Sequence, residues 1–189
     1  MNFIKTNLKW VVIIGIVAIL ALWATAGYNS FVTMGEKIDG QWAQVESQYQ
    51  RRFDLIPNIE ATVKGELKQE QEIFLAIAEA RTRYSGAVTT EDKVKAASQV
   101  ESALGRLLVI TENYPVLQSS RAFSDLRIEL SGTENRIAVE RMNYNNLVRD
   151  FNASVKQFPR FILAALFGVD ARSYFEITEG AETAPKVEF

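Results

Sequence analysis

The chain of 189 residues contains no cysteine and no histidine. Without cysteine it cannot form disulfides, zinc–thiolate sites or a thiol nucleophile, and it cannot be acylated as a lipoprotein. Without histidine it lacks the side chain that most often acts as general base and as transition-metal ligand. The sequence also has no glycine-rich phosphate loop, dinucleotide fingerprint or nucleophile elbow. We therefore expect a protein that is not an enzyme and that binds no cofactor or metal.

An excess of charge of one sign is also missing. With 21 basic and 23 acidic residues the formal net charge is −2, and the basic residues are scattered, so we expect no nucleic-acid partner. Apolar residues make up 48% of the chain and charged residues 23%, which is typical of a folded protein. The length is sufficient for one domain with a core and, in addition, a membrane anchor.

The N-terminal part contains one long apolar run. The seventeen residues from Trp10 to Ala26 carry no charge, which is near the lower limit of length for a membrane-spanning helix. On a helix Trp10 and Tyr28 would lie about 27 Å apart, close to the thickness of the hydrocarbon layer at whose borders aromatic residues concentrate. The run therefore predicts a transmembrane helix at 10–27, preceded by a short tail at 1–9.

The same run also fits a second interpretation, a cleaved secretory signal. A cleaved secretory signal would use Lys5 and Lys9 as its charged region and Ala24-Thr25-Ala26 as its cleavage pattern. The run is long for a signal, and helix-compatible sequence continues beyond it, so we expect an uncleaved single-span anchor. Because positive charge precedes the run, the positive-inside rule predicts a cytoplasmic N terminus and an extracytoplasmic C-terminal part.

The remainder of the chain has helical periodicity. From Phe31 to Leu67 apolar residues recur at spacings of three and four, as in a helix with one buried stripe. Further helices are expected at 62–84, 91–113 and 116–158, with a loop at 85–90 and Thr89 or Thr90 as an N-cap. We predict an all-α fold: the transmembrane helix continues into an antiparallel bundle of about four long helices at 28–178, followed by a disordered tail at 179–189.

A second apolar segment covers Phe161–Phe167 and ends at Gly168. It is too short to cross a bilayer. Two interpretations stay open: the segment covers the end of the bundle, or it docks at a membrane interface or on a partner.

The most specific polar motif is Arg51-Arg52-Phe53-Asp54-Leu55-Ile56-Pro57-Asn58. Proline inside a helix removes a backbone donor and predicts a kink. On a helix, Arg51 and Asp54 are neighbours three apart, and Asp54 and Asn58 are neighbours four apart.

This motif has a structural and a functional interpretation. In the structural one, Asp54 and Asn58 satisfy backbone groups freed by Pro57, and an arginine pairs with a glutamate on a facing helix, which fixes helix register. The candidate glutamates are Glu101, Glu112 and Glu134. In the functional one, Arg51 and Arg52 bind an anion or a peptide carboxylate.

The stretch from Trp42 to Lys64, WAQVESQYQRRFDLIPNIEATVK, closely resembles the LemA family of bacterial membrane-anchored proteins. Further family-like pieces follow in order: Ala80-Arg81, Glu112-Asn113-Tyr114-Pro115, Glu134-Asn135-Arg136-Ile137, Tyr144-Asn145 and Tyr174-Phe175-Glu176. The resemblance implies a short N terminus, one membrane helix and an antiparallel helical bundle, without an assigned activity. A relative associated with building magnetosome membranes suggests, by analogy, a role in membrane organisation.

These observations predict a non-enzymatic scaffold or assembly protein of the bacterial inner membrane. Its partners would be the membrane, which it crosses once, and other copies of itself or other membrane proteins; small residues in the span favour self-association. The alternative is an extracytoplasmic ligand- or peptide-sensing adaptor that uses Arg51 and Arg52.

Overall fold

The computed structural model describes residues 2–65 and 71–175, with side chains from residue 8. Within these ranges the chain is helical and contains no β-strand, which confirms the predicted all-α class; the bundle arrangement stays a prediction. The predicted tail at 179–189 lies outside the described residues. The helices are α1 (Asn2–Val63), α2 (Gln71–Gly86), α3 (Thr90–Thr111), α4 (Pro115–Gln118), α5 (Arg121–Lys156) and α6 (Arg160–Phe167).

Helix α1 carries both the apolar run and the start of the core. It is a single helix of 62 residues, and it continues through Pro57 to Val63. Starting at Leu8 it contains a window with a mean hydropathy of 2.3, of which only 6% is buried. By length and composition, α1 is the one helix in the described part of the chain that could cross a membrane.

Beyond the apolar run, the buried positions of α1 follow a regular repeat. One set of five side chains is spaced by seven residues, and each of them is at most 4% exposed. A second buried set lies four residues after each of the last three members of the first set. Such spacing places all of these side chains along one narrow stripe of the helix. The first set is Phe31, Ile38, Val45, Arg52 and Ile59, and the second is Tyr49, Ile56 and Val63.

The chain forms two compact units, of which the first comprises residues up to Trp42 together with Tyr144–Tyr174. In this unit aromatic rings from α1 pack edge-on against rings from α5. Edge-to-face contacts of this kind add stability beyond the apolar area that they bury. The ring centroids are 6.4 Å apart for Phe31 and Phe151 and 5.6 Å apart for Trp42 and Tyr144.

Helix α6 and the segment after it also belong to this unit. Gly168 ends α6 with a φ of 65°, a left-handed conformation that favours glycine. Downstream, the side chain of Asn152 donates to the carbonyl of Arg172 at 2.9 Å and accepts from its N–H at 2.8 Å. One buried amide thus satisfies both backbone groups of a residue that lies outside the helices.

The second unit comprises Ala43–Asn143 and, among the described residues near the C terminus, Phe175. Here α2 packs against α3. Thr89 is the N-cap of α3, as predicted for Thr89 or Thr90: its hydroxyl oxygen accepts from the N–H of Asp92 at 3.1 Å.

The predicted helix at 116–158 is wrong in its first part, because the chain forms two helices there. Helix α4 ends at Gln118, Ser119 follows as its C-cap, and α5 begins at Arg121. The hydroxyl of Ser120 accepts from the N–H of Phe123 at 3.4 Å, which offers the backbone an alternative to a continuous helix. Similarly, α1 ends at Val63 rather than running into the helix predicted at 62–84, and residues 66–70 lie outside the described part.

Candidate functional site

Arg52 is buried because of its position in the repeat of α1. The residues seven positions before and after it, Val45 and Ile59, belong to the core, and the side chain of Arg52 is itself 4% exposed. Arg51 is 52% exposed. Successive residues of a helix are rotated by about 100°, and this rotation places Arg51 outside the buried side of α1, whereas Phe53, on the other side of Arg52, is buried. A guanidinium at such a position requires compensating charge, because burying an unpaired ion is costly.

Glu101 of α3 supplies part of that compensation. Its Oε1 lies 3.7 Å from Nη1 of Arg52, and it also accepts a hydrogen bond from Nη2 of Arg141 on α5. Oε2 of Glu134 lies 3.7 Å from Nη2 of Arg52. Tyr49 completes the group: its hydroxyl donates to Oε1 of Glu101 at 3.1 Å and accepts from Arg141. We call these five residues the ionic cluster.

Aromatic rings surround the guanidinium of Arg141. Its Cζ lies 4.3 Å from the ring centroid of Phe175 and 5.4 Å from that of Tyr49. Both distances are within the range of cation–π attraction, and the ring of Phe175 is itself buried. The rings thus shield the Arg141–Glu101 pair from water, which strengthens the attraction between the two charges.

The ionic cluster does not use all of its hydrogen-bond donors. Among the described residues, Nε and Nη1 of Arg52 and Nε of Arg141 have no hydrogen-bond partner. The separations of 3.7 Å from Arg52 to its two carboxylates are ion-pair distances that are too long for hydrogen bonds. Arg52 is therefore held by charge attraction, whereas Arg141 is also held by hydrogen bonds.

The protonation states of two tyrosines in this unit follow from burial. Burial raises the pKa of the Tyr49 phenol, and the negative charge of Glu101 raises it further, against the opposing charge of Arg141. Burial and then the charge of Glu46 raise the pKa of Tyr84, whose ring lies 5.7 Å from that of Tyr49. Both phenols are therefore neutral at physiological pH and cannot act as bases there.

The other residues of the predicted motif lie at the surface. Arg51 is 3.6 Å from Glu129, which is 46% exposed. Asp54 is exposed, and its carboxylate accepts from the side-chain amide of Gln50 at 2.8 Å. Pro57 and Asn58 are exposed as well, and the backbone carbonyl of Asn58 accepts from the Thr62 hydroxyl at 2.8 Å. Of the three candidate glutamates, Glu101 and Glu134 lie beside Arg52, whereas Glu112 is an exposed residue at the C-cap of α3.

Sequence reasoning did not identify Tyr49 and Arg141 as members of the site. Both residues nevertheless lie in register with buried apolar residues. Tyr49 lies four residues after Val45 in the buried stripe of α1. Arg141 lies four residues after Ile137 and seven before Val148, both buried, so it falls on the core stripe of α5 as Arg52 falls on that of α1. A charged residue in register with a buried stripe indicates a partner on a facing helix.

Chemically, the ionic cluster is balanced: two guanidiniums face two carboxylates, and the phenol between them is neutral. Among the described residues no three acids or other ligand side chains converge in the manner of a cation site. Such an arrangement resists displacement of one helix relative to another, because sliding by one turn would leave charges buried without partners.

An apolar helix that could cross a membrane, together with helical units held by aromatic and ionic contacts, is the pattern of a membrane-associated all-α protein. The model of the LemA family matches residues 41–189, a range that includes the whole ionic cluster, and the chain belongs to the LemA family.

Individual relatives are similar over most of the chain. Magnetosome protein MamQ 2 of Paramagnetospirillum magneticum is 26% identical in an alignment 199 positions long, which covers 90% of this chain and 73% of the relative. Magnetosome protein MamQ of Magnetospirillum gryphiswaldense is 25% identical over 182 residues, covering 82% and 67%. Protein LemA of Metamycoplasma hominis is 26% identical over 144 residues, covering 71% and 66%.

The position of Glu101 between two arginines predicts a large effect of neutralising it. Glu101→Gln should lower the free energy of unfolding by roughly 2–3 kcal/mol, because two largely buried guanidiniums lose a shared counter-charge. Glu129→Gln is the matched control: its pair with Arg51 is about half exposed, so the change should cost less than about 1 kcal/mol. Denaturant unfolding of the detergent-solubilised full chain, followed by circular dichroism, measures both. Equal losses for the two variants would contradict the proposed role of Glu101.

The raised tyrosine pKa values predict instability at alkaline pH. Above the ordinary phenol pKa of about 10, the unfolded chain releases protons that folded Tyr49 and Tyr84 retain, so the free energy of unfolding falls as pH rises. Each tyrosine contributes at most about 1.4 kcal/mol per pH unit, and nothing below that range, where both states are protonated. Tyr49→Phe should flatten this decline in unfolding experiments between about pH 9 and 11. An unchanged slope would show that Tyr49 titrates normally.

Proposed function

We propose that this chain is a non-enzymatic, single-span protein of the bacterial inner membrane that acts as a scaffold or assembly protein. The observation that carries the proposal is the change of environment along α1. Large apolar side chains between Trp10 and Leu22 are exposed around the whole helix, whereas from Phe31 onward apolar side chains are mostly buried, along one side of the helix. Exposed apolar surface of this extent requires an apolar surrounding, and a lipid bilayer supplies it.

The chemistry of the ionic cluster supports a role without catalysis. The charges of Arg52 and Arg141 are compensated by those of Glu101 and Glu134, and the phenols beside them are held neutral by their raised pKa values. An active site usually keeps such groups poised for a substrate in a cleft instead. The magnetosome proteins among the relatives favour a membrane-organising role by analogy. By the positive-inside rule, Lys5 and Lys9 favour an extracytoplasmic location of the residues after the span.

A second copy of this chain is the first partner that we propose. Three large apolar residues of α5 are exposed. The second and third follow the first by 11 and 14 positions, which is close to three and four helical turns, so all three share one face. This face, which we call the α5 stripe, consists of Ile128 (69% exposed), Val139 (50%) and Met142 (57%). Copies anchored in one membrane share their orientation, so the same stripe on two copies can meet side by side. Small residues such as Gly15 and Ala18 in the apolar run favour contact there as well.

Because the chain has no cysteine, one introduced thiol can report self-association without background. In isolated native membranes, Val139→Cys should give covalent dimers with a short bismaleimide crosslinker, since the proposed contact brings two copies of residue 139 together. Ala138→Cys is the matched control: it is also exposed but rotated by about 100° from the stripe, and it should crosslink far less. Absence of dimers from Val139→Cys, or equal yields from both variants, would exclude this contact.

The alternative function is an extracytoplasmic adaptor that recognises an anion or peptide carboxylate through Arg51 and Arg52. The unused donors of Arg52 favour this alternative. Its burial and the two carboxylates near it weigh against it. In addition, an open pocket where α2 ends and α3 begins is lined by other residues, among them Arg83, Asp92 and Lys95.

Arg52→Met distinguishes the two functions. After this change Glu101 still pairs with Arg141, and the carboxylate of Glu134 is 66% exposed, so neither acid is stranded. We therefore expect stability within about 1 kcal/mol of the parent, since apolar replacement of a buried ion is often neutral. The Val139→Cys crosslink should also persist. A folded Arg52→Met chain that loses a partner or the crosslink would instead assign recognition to Arg52.

A further inference from the structure

Helix α6 exposes one apolar face. All of its residues except Arg160 are apolar, yet only Leu163 and Ala164 are buried. Most of the exposed side chains lie on the opposite side of the helix, and they continue into the turn before α6. They are Phe158 (80% exposed), Phe161 (48%), Ile162 (47%) and Leu166 (71%), which we call the α6 face.

The buried side of α6 packs on α1 directly beyond the apolar run. The ring of Phe167 lies edge-on to that of Tyr28, with the centroids 5.1 Å apart. Next to it Leu163 approaches the backbone of Gly27 so closely that a Cβ at Gly27 would overlap its Cδ1. Glycine at this position therefore permits α6 to lie against α1. Both contacts belong to the same compact unit.

These contacts define the depth of α6 relative to the bilayer. Gly27 and Tyr28 follow Ala26, the last residue of the uncharged run, by one and two positions, which is about 1.5–3 Å along the helix axis. If the run spans the membrane as proposed above, α6 lies at the boundary between the hydrocarbon and the headgroups. That boundary is where short helices with an apolar face and aromatic residues lie in the plane of the membrane.

The charges around the α6 face fit the same location. No acidic residue occurs between Asp150 and Asp170, whereas Lys156 is exposed and Arg160 is partly exposed. Arg160 also donates to the Ser154 hydroxyl at 2.6 Å, which holds the start of α6 to the end of α5. Basic residues at the rim of an apolar face are attracted to anionic lipid headgroups.

We propose that the α6 face is immersed in the lipid interface beside the transmembrane helix and forms a second membrane contact. This inference rests on the proposed function, because it takes its depth from the span. A second contact limits tilting of α1 relative to the bilayer, which the span alone does not do.

The test uses single cysteines, each carrying an environment-sensitive fluorophore, in the full chain reconstituted into vesicles of phosphatidylcholine and phosphatidylglycerol. Leu166→Cys reports the α6 face. Ile19→Cys, in the apolar run and 67% exposed, reports the span. Gly40→Cys is the aqueous control: it is exposed with open space around it, and it lies about 20 Å further along α1 than Gly27.

We expect lipid-attached nitroxides to quench the labels at Leu166 and Ile19, and an aqueous quencher to act several-fold more strongly at Gly40 than at either. Nitroxides near the headgroups should be the more effective ones at Leu166, and those deep in the acyl chains at Ile19.

If the label at Ile19 is quenched by the lipid-attached nitroxides but that at Leu166 by the aqueous quencher, the α6 inference is wrong and the span stands. If the label at Ile19 is quenched from water, the span itself fails. A label at Leu166 shielded from both quenchers would show that protein, such as a second copy, covers the α6 face.

Discussion

The pairing of Glu101 with the guanidiniums of Arg52 and Arg141 is the constraint on which the second unit depends. In the seven-residue repeat of α1, Arg52 occupies the position equivalent to those of Val45 and Ile59, which are buried. The guanidinium of Arg52 is therefore buried as well. One carboxylate from α3 then meets a cation from α1 and another from α5. Apolar contacts alone tolerate small displacements of helices, but a buried charge has only one acceptable partner position. The ionic cluster therefore selects one register of three helices.

The first unit depends on a different kind of contact. Its buried amide, Asn152, makes two hydrogen bonds with the backbone of Arg172, while helix contacts are made by aromatic pairs and by Leu163 against Gly27. This contrast fits the lipid environment that we propose for the apolar run and the α6 face, which both belong to the first unit. Close to lipid, close packing against a small residue and aromatic contacts hold helices together without burying charge.

The function that we propose follows from what is left exposed after these contacts are made. The charges of the ionic cluster compensate one another, although some guanidinium donors stay unused. The apolar run, the α6 face and the α5 stripe remain uncovered within the chain, and each is suited to an apolar surrounding. The apolar run ends next to Gly27 and Tyr28, where the other side of α6 packs on α1, so we expect lipid beside both the run and the α6 face. The α5 stripe is available to another copy. A molecule whose unsatisfied surface is apolar rather than ionic is suited to assembly at a membrane.

The helices were predictable because their signals are local. The three-and-four spacing of apolar residues, the absence of alternation, Tyr114-Pro115 and the Thr89 cap each act within a few residues of the chain. The break at Ser119 and Ser120 was missed because serine is compatible both with a helix and with a cap, and only the donated hydrogen bond of Phe123 distinguishes the two.

Sequence by itself determined the all-α class, the family and the apolar run, together with a short set of acids that could face an arginine. Only the tertiary structure decided that Arg52 rather than Arg51 is buried, that Glu101 and Glu134 rather than Glu112 lie near it, and that Tyr49 and Arg141 join them. It also decided that Leu163 packs on Gly27, which leaves the opposite face of α6 exposed. The physical reason is the distance along the chain over which the interactions act. Helix periodicity depends on residues three and four positions apart, whereas the partner of a buried charge lies on another helix and is set by how the helices pack.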